Sequence, residues 1–290
     1  MTSKMLTDRE VRGLRGPVRL VVTRPSPGGP VQEEAFDRDG RLVGFREQPA
    51  AGSQSSFEYR YDAEGNRYDA SGRRWGLPHI RTVRNPDGSR VEIVDVSMVA
   101  GWGPEGMHEV WFGTGGASTA ETTFDLRGAP SGAVLRNAQG GELSRISCTC
   151  DGEGRIVDAV QYGGTSRPPL PGAPGLAVED LPGDQRELAR ALFEPGSEQF
   201  RVAFRYDSFG RVVERIGSFA GREDERTVNA YNERGDIQTS TATTGTGTMV
   251  YEFDYDYDEY GNWIRQTSRY MSGGSMAGSH EFSRTIAYYD

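Results

Sequence analysis

Tyr251-Glu252-Phe253-Asp254-Tyr255-Asp256-Tyr257-Asp258-Glu259-Tyr260-Gly261-Asn262-Trp263 is the stretch that decides the fold. From 251 to 258 aromatic rings and carboxylates alternate strictly. That is the period of a β-strand with one apolar face and one wet face. From Tyr257 the pattern changes to an aromatic residue, Asp, two variable residues and Gly. An Asp heading such a turn accepts hydrogen bonds from the turn's own backbone, and the closing Gly takes a positive φ without a Cβ clash. An aromatic strand therefore runs into a hairpin turn and returns as a second strand near Trp263.

The same cassette recurs along the chain. It stands at Phe36–Gly40, Tyr61–Gly65, Tyr206–Gly210 and Tyr231–Gly235, with variants at Phe124–Gly128 and Cys150–Gly154 and a related Asn85-Pro86-Asp87-Gly88. Asp62, Gly65, Asp207, Gly210, Asn232, Gly235, Asp258 and Gly261 are the structural turn residues of the best copies. Copies starting at 206, 231 and 257 lie about 25 residues apart, a spacing that signals a repeat architecture. Two positions after the glycine the residue is apolar at Leu42, Ile156, Val212, Ile237 and Trp263, and not at Arg67, Arg90 or Pro130. Phe200, Val202, Phe204 and Tyr206 alternate with polar residues, as do Phe57, Tyr59 and Tyr61. The expected fold is all-β: an antiparallel meander of hairpin repeats forming a twisted, curled open sheet, with one short helix in a Pro-rich insertion.

The Tyr-Asp-x-x-Gly-Asn/Arg segments at 61–66, 206–211 and 257–262, with looser copies at 36–41, 150–155 and 231–236, resemble the YD-repeat, or Rhs-repeat, family of bacterial proteins. Leu14-Arg15-Gly16-Pro17-Val18 followed by a cassette is similar to the opening of small single-domain members. The resemblance covers roughly 14–162 and 198–290. Large members wrap their repeats into a hollow shell around a toxic cargo; this chain is short and has no recognisable toxin domain. The resemblance thus implies a non-enzymatic bacterial component of shell, immunity or assembly type.

Four segments are expected. Residues 1–13 hold a short helix opened by the capping box Thr7-x-x-Glu10. Residues 14–165 form a first repeat sheet, 166–197 a Pro-rich linker and short helix, and 198–290 a second sheet continuing the same array. In the linker, Asp184 and Glu187 cap an apolar stripe of Leu188, Ala191 and Leu192, which either covers a sheet edge or docks a partner. Neither an export signal nor a run of ~20 apolar residues is seen. The expected location is the bacterial cytoplasm, with export by a signal-independent secretion system left open, and no membrane partner.

The net charge of −9, with 33 basic residues interspersed among 42 acidic ones, argues against nucleic acid as a partner. Cys148 and Cys150 read as small residues of one strand face, the alternative being half of a metal site. No cofactor or metal is expected, and no catalytic motif is found. The carboxylates Glu252, Asp254, Asp256 and Asp258 call for cross-strand partners, with Arg265 and Arg269 first and Arg201 and Arg205 next, in preference to a calcium or basic-partner site. Trp102, His108 and Trp111 lie in a Gly-rich break at 99–113 that reads as a hairpin tip and is also the candidate ligand site. The function expected from these readings is a scaffold or protein-binding module acting through another protein or self-association. A carbohydrate-binding module using exposed aromatics is the alternative, and a carboxylate-based hydrolase a third.

Overall fold

The computed structural model describes residues 7–26, 28–49, 52, 54–62, 67–70, 80–95, 117–166, 182–183, 186, 194–219 and 221–290. Among these are one helical turn, α1 (Asp8–Val11), and eighteen strands. The strands are β1 (Val18–Ser26), β2 (Val31–Phe36), β3 (Leu42–Gln48), β4 (Ser55–Tyr61), β5 (Arg67–Asp69), β6 (Ile80–Arg84), β7 (Arg90–Asp95), β8 (Thr119–Phe124) and β9 (Pro130–Arg136). They continue as β10 (Glu142–Cys150), β11 (Ile156–Gly163), β12 (Glu198–Tyr206), β13 (Val212–Phe219), β14 (Arg222–Tyr231), β15 (Ile237–Thr244), β16 (Gly247–Tyr257), β17 (Trp263–Ser272) and β18 (Ser275–Tyr288). The fold is an all-β antiparallel meander, as the alternation and the turn cassettes predict. Of the expected helix at 184–193 only Arg186 is among the described residues, and the candidate segment 99–113 lies wholly outside them.

Each cassette folds by one mechanism. The amide of the leading Asp or Asn donates to the carbonyl four residues on, and the glycine amide donates back to the leading residue's carbonyl. This holds at Asp37, Asn85, Asp125, Asp151, Asp207, Asn232 and Asp258. The leading side chain also accepts from the turn: Asp207 Oδ1 takes the amides of Phe209 and Arg211 at 2.9 and 3.0 Å. Gly210, Gly235 and Gly261 have φ of 81°, 91° and 82°, the left-handed region that glycine enters freely. The register follows. Phe36 pairs with Leu42, Phe124 with Pro130, Cys150 with Ile156, Tyr206 with Val212 and Tyr257 with Trp263, each beside a one-residue bulge. Asn137-Ala138-Gln139-Gly140 forms the same turn between β9 and β10, although Arg136 rather than an aromatic precedes it.

The strands group into two compact units, one of Met1–Gly76, Asn229–Thr241 and Gly247–Asp290, the other of Leu77–Val228 and Ala242–Thr246. In the first unit β18 pairs with β1, so the run of strands is β16, β17, β18, β1, β2, β3, β4, β5. Its core is Leu14, Val18, Val21, Phe36, Leu42 and Tyr59, with Phe45, Phe57, Ile286 and Tyr288 against it. In the second unit the run is β6 to β14, and β11 pairs with β12 across the Pro-rich segment. Its larger core is Ala133, Ile146, Ile156, Ala159, Val202 and Phe204. Among the described residues, in neither unit does the run of pairings return on itself.

Candidate functional site

The turns of the first unit are stitched together by groups that the cassette itself supplies. Tyr257 at the end of β16 places its hydroxyl in the Asn232–Asp236 turn, donating to Asp236 Oδ2 at 2.7 Å and accepting from Asn232 Nδ2 at 2.7 Å. Tyr288 at the end of β18 does the same in the next turn, donating to Asp258 Oδ2 and accepting from Asn262 Nδ2 at 2.8 Å. The amide and the carboxylate have exchanged places between the two turns, and each tyrosine still meets one of each. Burial, and then the carboxylate partner, push both phenols up to about 12.

Elsewhere an Arg follows the glycine and the lock takes another form. Arg155 and Arg211 pair with Asp151 and Asp207 of their own turns at 2.7 and 2.6 Å. Burial raises Asp151 and Asp207, but the bonds from Arg155 and Arg211 outweigh it and hold both carboxyls below their ordinary value. Arg155 also lies 4.8 Å from the ring centre of Tyr206, whose hydroxyl donates to the Ile156 carbonyl at 2.8 Å. Arg41 covers Tyr61 likewise, and that hydroxyl reaches the Leu42 carbonyl. Of the remaining turn residues named from sequence, Asp62 accepts from Tyr68 OH at 3.1 Å. Gly65 lies outside the described residues, as do Trp102, His108 and Trp111.

The N-terminal segment is a clasp over these turns. Thr7 and Glu10 form the expected capping box. Asp8 Oδ2 accepts from the Leu42 amide and Tyr61 OH, and Arg12 pairs with Glu34 at 2.5 Å. Asn262, 3% exposed, exchanges two bonds with the Arg15 backbone at 2.6 and 2.8 Å. Arg15 itself donates to the carbonyls of Gly261 and Arg234. The sequence gives no sign of this contact, which joins residues far apart in the chain.

The second feature is the aromatic face of β16–β18. Tyr251, Phe253 and Tyr255 stand opposite Tyr270, Ser268 and Gln266, which stand opposite Gly278, His280 and Phe282. Tyr251, Tyr270 and His280 form a platform across three strands, with centroids 6.2 and 5.8 Å apart. Gly278 is needed there, because a Cβ at that position collides with the Tyr270 ring. The rings are half-buried rather than enclosed, and His280 is exposed. The opposite face carries the carboxylate row, answered as the sequence suggests: Arg265 pairs with Asp256 at 2.8 Å, and Arg269 with Asp254 and Glu252 at 2.5 and 3.7 Å. Arg201 and Arg205 pair instead with Asp158 and Glu214.

On β1–β4 a depression of about 330 Å³ is lined by Ala35 and Gly44 together with Glu33, Arg46, Glu58 and Arg60. Glu33 and Arg46 already pair with each other at 3.3 Å, and no nucleophile–base pair is formed there. Cys148 and Cys150 are not joined in a disulfide, and burial, then Cys150 and Asp158, push Cys148 up to about 12. No group of three metal-ligating side chains occurs among the described residues. Among the described residues no helix is long and apolar enough to cross a membrane, which says nothing of membrane-crossing strands.

No family model matches the chain, and no curated protein matches it. Among solved structures it is similar to a porin-like protein from Bacteroides uniformis, with a TM-score of 0.41, 10% identity, and coverage of 94% of this chain and 99% of that one. A porin-like protein from Bacteroides vulgatus gives a TM-score of 0.36 at 9% identity, over 94% of this chain and 98% of that one. Likenesses at this level carry no functional argument.

Proposed function

We propose that the chain is a non-enzymatic scaffold, of the kind the YD-repeat resemblance implies, that holds a protein segment on the aromatic face of β16–β18. The observation that carries the reading is that face. Tyr251, Phe253, Tyr255, Tyr270 and Phe282 lie side by side and only half-buried, on strands whose other face is ion-paired and wet. Aromatic rings in such a row supply large contact area at low entropic loss, and they are the residues enriched at interface centres. The interlocked turns support the reading by fixing the strands that present the rings. A lipid-facing role is disfavoured on β16–β18. A membrane-crossing strand needs one apolar face, and here one face has Arg265, Arg269 and Glu252 while the other has Gln266, Ser268, His280 and Arg284.

The test is capture of proteins encoded beside this one, by wild type and by a Tyr251→Ser/Tyr270→Ser/Phe282→Ser variant of equal melting temperature. A partner retained by wild type and lost by the variant supports the reading. A wild type that is monomeric and captures nothing, or a variant that captures equally, defeats it. The stacked platform of Tyr251, Tyr270 and His280 favours a second reading, a carbohydrate site, since flat rings stack on sugar faces; binding of a glycan by wild type and not by the same variant would select it.

A further inference from the structure

Along β18 the aromatic face changes character. Tyr288 and Ile286 belong to the packed core of the first unit, and Phe282 and His280 to the half-covered end. Arg284 sits between them. Its guanidinium carbon lies 3.4 Å from the ring centre of Trp263, a contact that holds the planar group flat against the indole. Its Nε is enclosed and has no hydrogen-bond partner. Among the described residues no carboxylate forms an ion pair with it; the two acidic groups that influence it are engaged elsewhere. Glu34 is bound by Arg12 at 2.5 Å, and Asp236 by Tyr257 at 2.7 Å. Burial holds this guanidinium down to about 10, the opposite direction to the paired Arg155, Arg201 and Arg226.

A half-buried cation left without an anion is a costly arrangement, and an apolar residue of similar volume would relieve it. Among the described residues, fourteen other arginines have a carboxylate within ion-pair distance. Arg284 has no such carboxylate among the described residues, and it stands on the half-open aromatic face.

We propose that Arg284, held on Trp263, is a carboxylate-recognition point: the segment bound on the aromatic face carries an acidic side chain or a C-terminal carboxylate that pairs with this guanidinium. The proposal rests on the protein-binding reading of that face for the identity of the ligand, but the site itself stands on the geometry of Arg284 alone. Charge complementarity names the occupant. On the opposite face Arg265 and Arg269 already pair with Asp256 and Asp254, and a basic segment on the aromatic face would meet an unpaired cation.

The probes are benzoate and benzamide, which share a ring and differ in the carboxylate, with inorganic phosphate as the third. Melting temperature is followed for the full chain, for Arg284→Met and for Arg284→Lys. Benzoate is expected to raise the wild-type melting temperature, as any ligand of the native state does, and benzamide to leave it unmoved. Arg284→Met is expected to be at least as stable as wild type without ligand and to show no benzoate response. Arg284→Lys, which keeps the charge and folds if charge alone matters, should weaken benzoate by about tenfold, one charge-assisted bond. An Arg284→Met variant less stable than wild type, with no benzoate response in either protein, makes Arg284 a structural stack and overturns the proposal. A response to phosphate equal to that to benzoate overturns the carboxylate assignment. Benzoate binding through Arg284 alongside unchanged partner capture by the aromatic-face variant leaves this site standing and removes the docking reading instead.

Discussion

Phe200, Val202, Phe204 and Tyr206 on β12 and Tyr251, Phe253, Tyr255 and Tyr257 on β16 carry the same alternation into different surroundings. Val202 is wholly buried and Phe204 nearly so, at 7% exposed, within a cluster that includes Ala133, Ile146 and Ala159. The β16 rings stay half-buried. The neighbours account for the difference. Val202 stands between Ala159 and Gly217, small residues that let surrounding side chains close over it. Phe253 stands against Ser268, a buried hydroxyl that donates to the His280 carbonyl, and Tyr255 against Gln266, which donates to Tyr255 OH; neither adds apolar cover to the rings. Alternation decides which face is apolar; the residues on adjoining strands decide whether that face becomes core or contact surface.

Truncating one ring from each region gives the largest test of that contrast. Phe204→Ala is expected to lose about 3–5 kcal/mol, the loss for an enclosed aromatic. Phe253→Ala should lose roughly 1–2 kcal/mol, because much of that ring is still in contact with water. Urea midpoints with unchanged slope measure both. Equal losses would mean the β16 face is as well covered as the β12 face, and the binding reading would lose its main support.

The turns provide the next step down, because the cassette is common to both regions. Gly210→Val and Gly261→Val should each lose about 1–3 kcal/mol, since a β-branched residue is strained at φ of 81° and 82°. Gly261 should be the worse site. A Cβ there meets guanidinium nitrogens of Arg15 and Arg234 at 2.9 and 3.0 Å, whereas at Gly210 the nearest atom is an Arg155 nitrogen at 3.3 Å. Equal losses at the two sites would show that the clasp yields freely.

What the sequence discloses follows from what is local. Asp207, Phe209, Gly210 and Arg211 make their bonds within one turn, so the pattern and the structure are nearly the same statement. The facing of Tyr251–Tyr257 and the pairing of Asp256 with Arg265 follow from strand period and hairpin register. Asn137 lacks the aromatic leader that marks the other copies, although Asn-x-x-Gly alone carries the turn mechanism. Arg284 is invisible because nothing about Ser283-Arg284-Thr285 says which groups surround it. Asn262 and Arg15, and the pairing of β18 with β1, join chain ends by contacts that no short window contains. The aromatic–Gly segment with Trp102, His108 and Trp111 is outside the described residues, and the aromatic face of β16–β18 is a different part of the sequence.

The exchanged amide and carboxylate at the two tyrosine locks can be tested by swapping one of them. Asn232→Asp places two carboxylates on Tyr257 OH and removes its donor, and should lose about 1–2 kcal/mol. Adding Asp236→Asn rebuilds the arrangement seen at Asp258 and Asn262, so the double variant should return to within about 0.5 kcal/mol of wild type. A double variant as unstable as the two single changes added together would mean that the resemblance between the locks is coincidental.

The smallest effect concerns alkaline pH, and at neutral pH it vanishes. Tyr257 and Tyr288 have native values of about 12, above the ordinary 10, because burial and then a carboxylate disfavour the phenolate. A value raised by folding stabilises fully below the unfolded value and is lost as pH climbs from about 10 through 12. Arg284 works in the opposite direction over nearly the same range. Its native value of about 10 lies below that of a free guanidinium, so deprotonation relieves the fold as pH rises. The two contributions overlap in wild type, and its pH profile alone cannot separate them. Comparing wild type with Tyr257→Phe/Tyr288→Phe cancels the Arg284 contribution, which both proteins share. The variant should begin less stable, lacking two hydrogen-bonded hydroxyls, and the gap should narrow steadily above pH 10. A gap that stays constant to pH 12 would mean these phenols ionise in the native state as freely as in water, and the locks would then be contacts of shape rather than of hydrogen bonding.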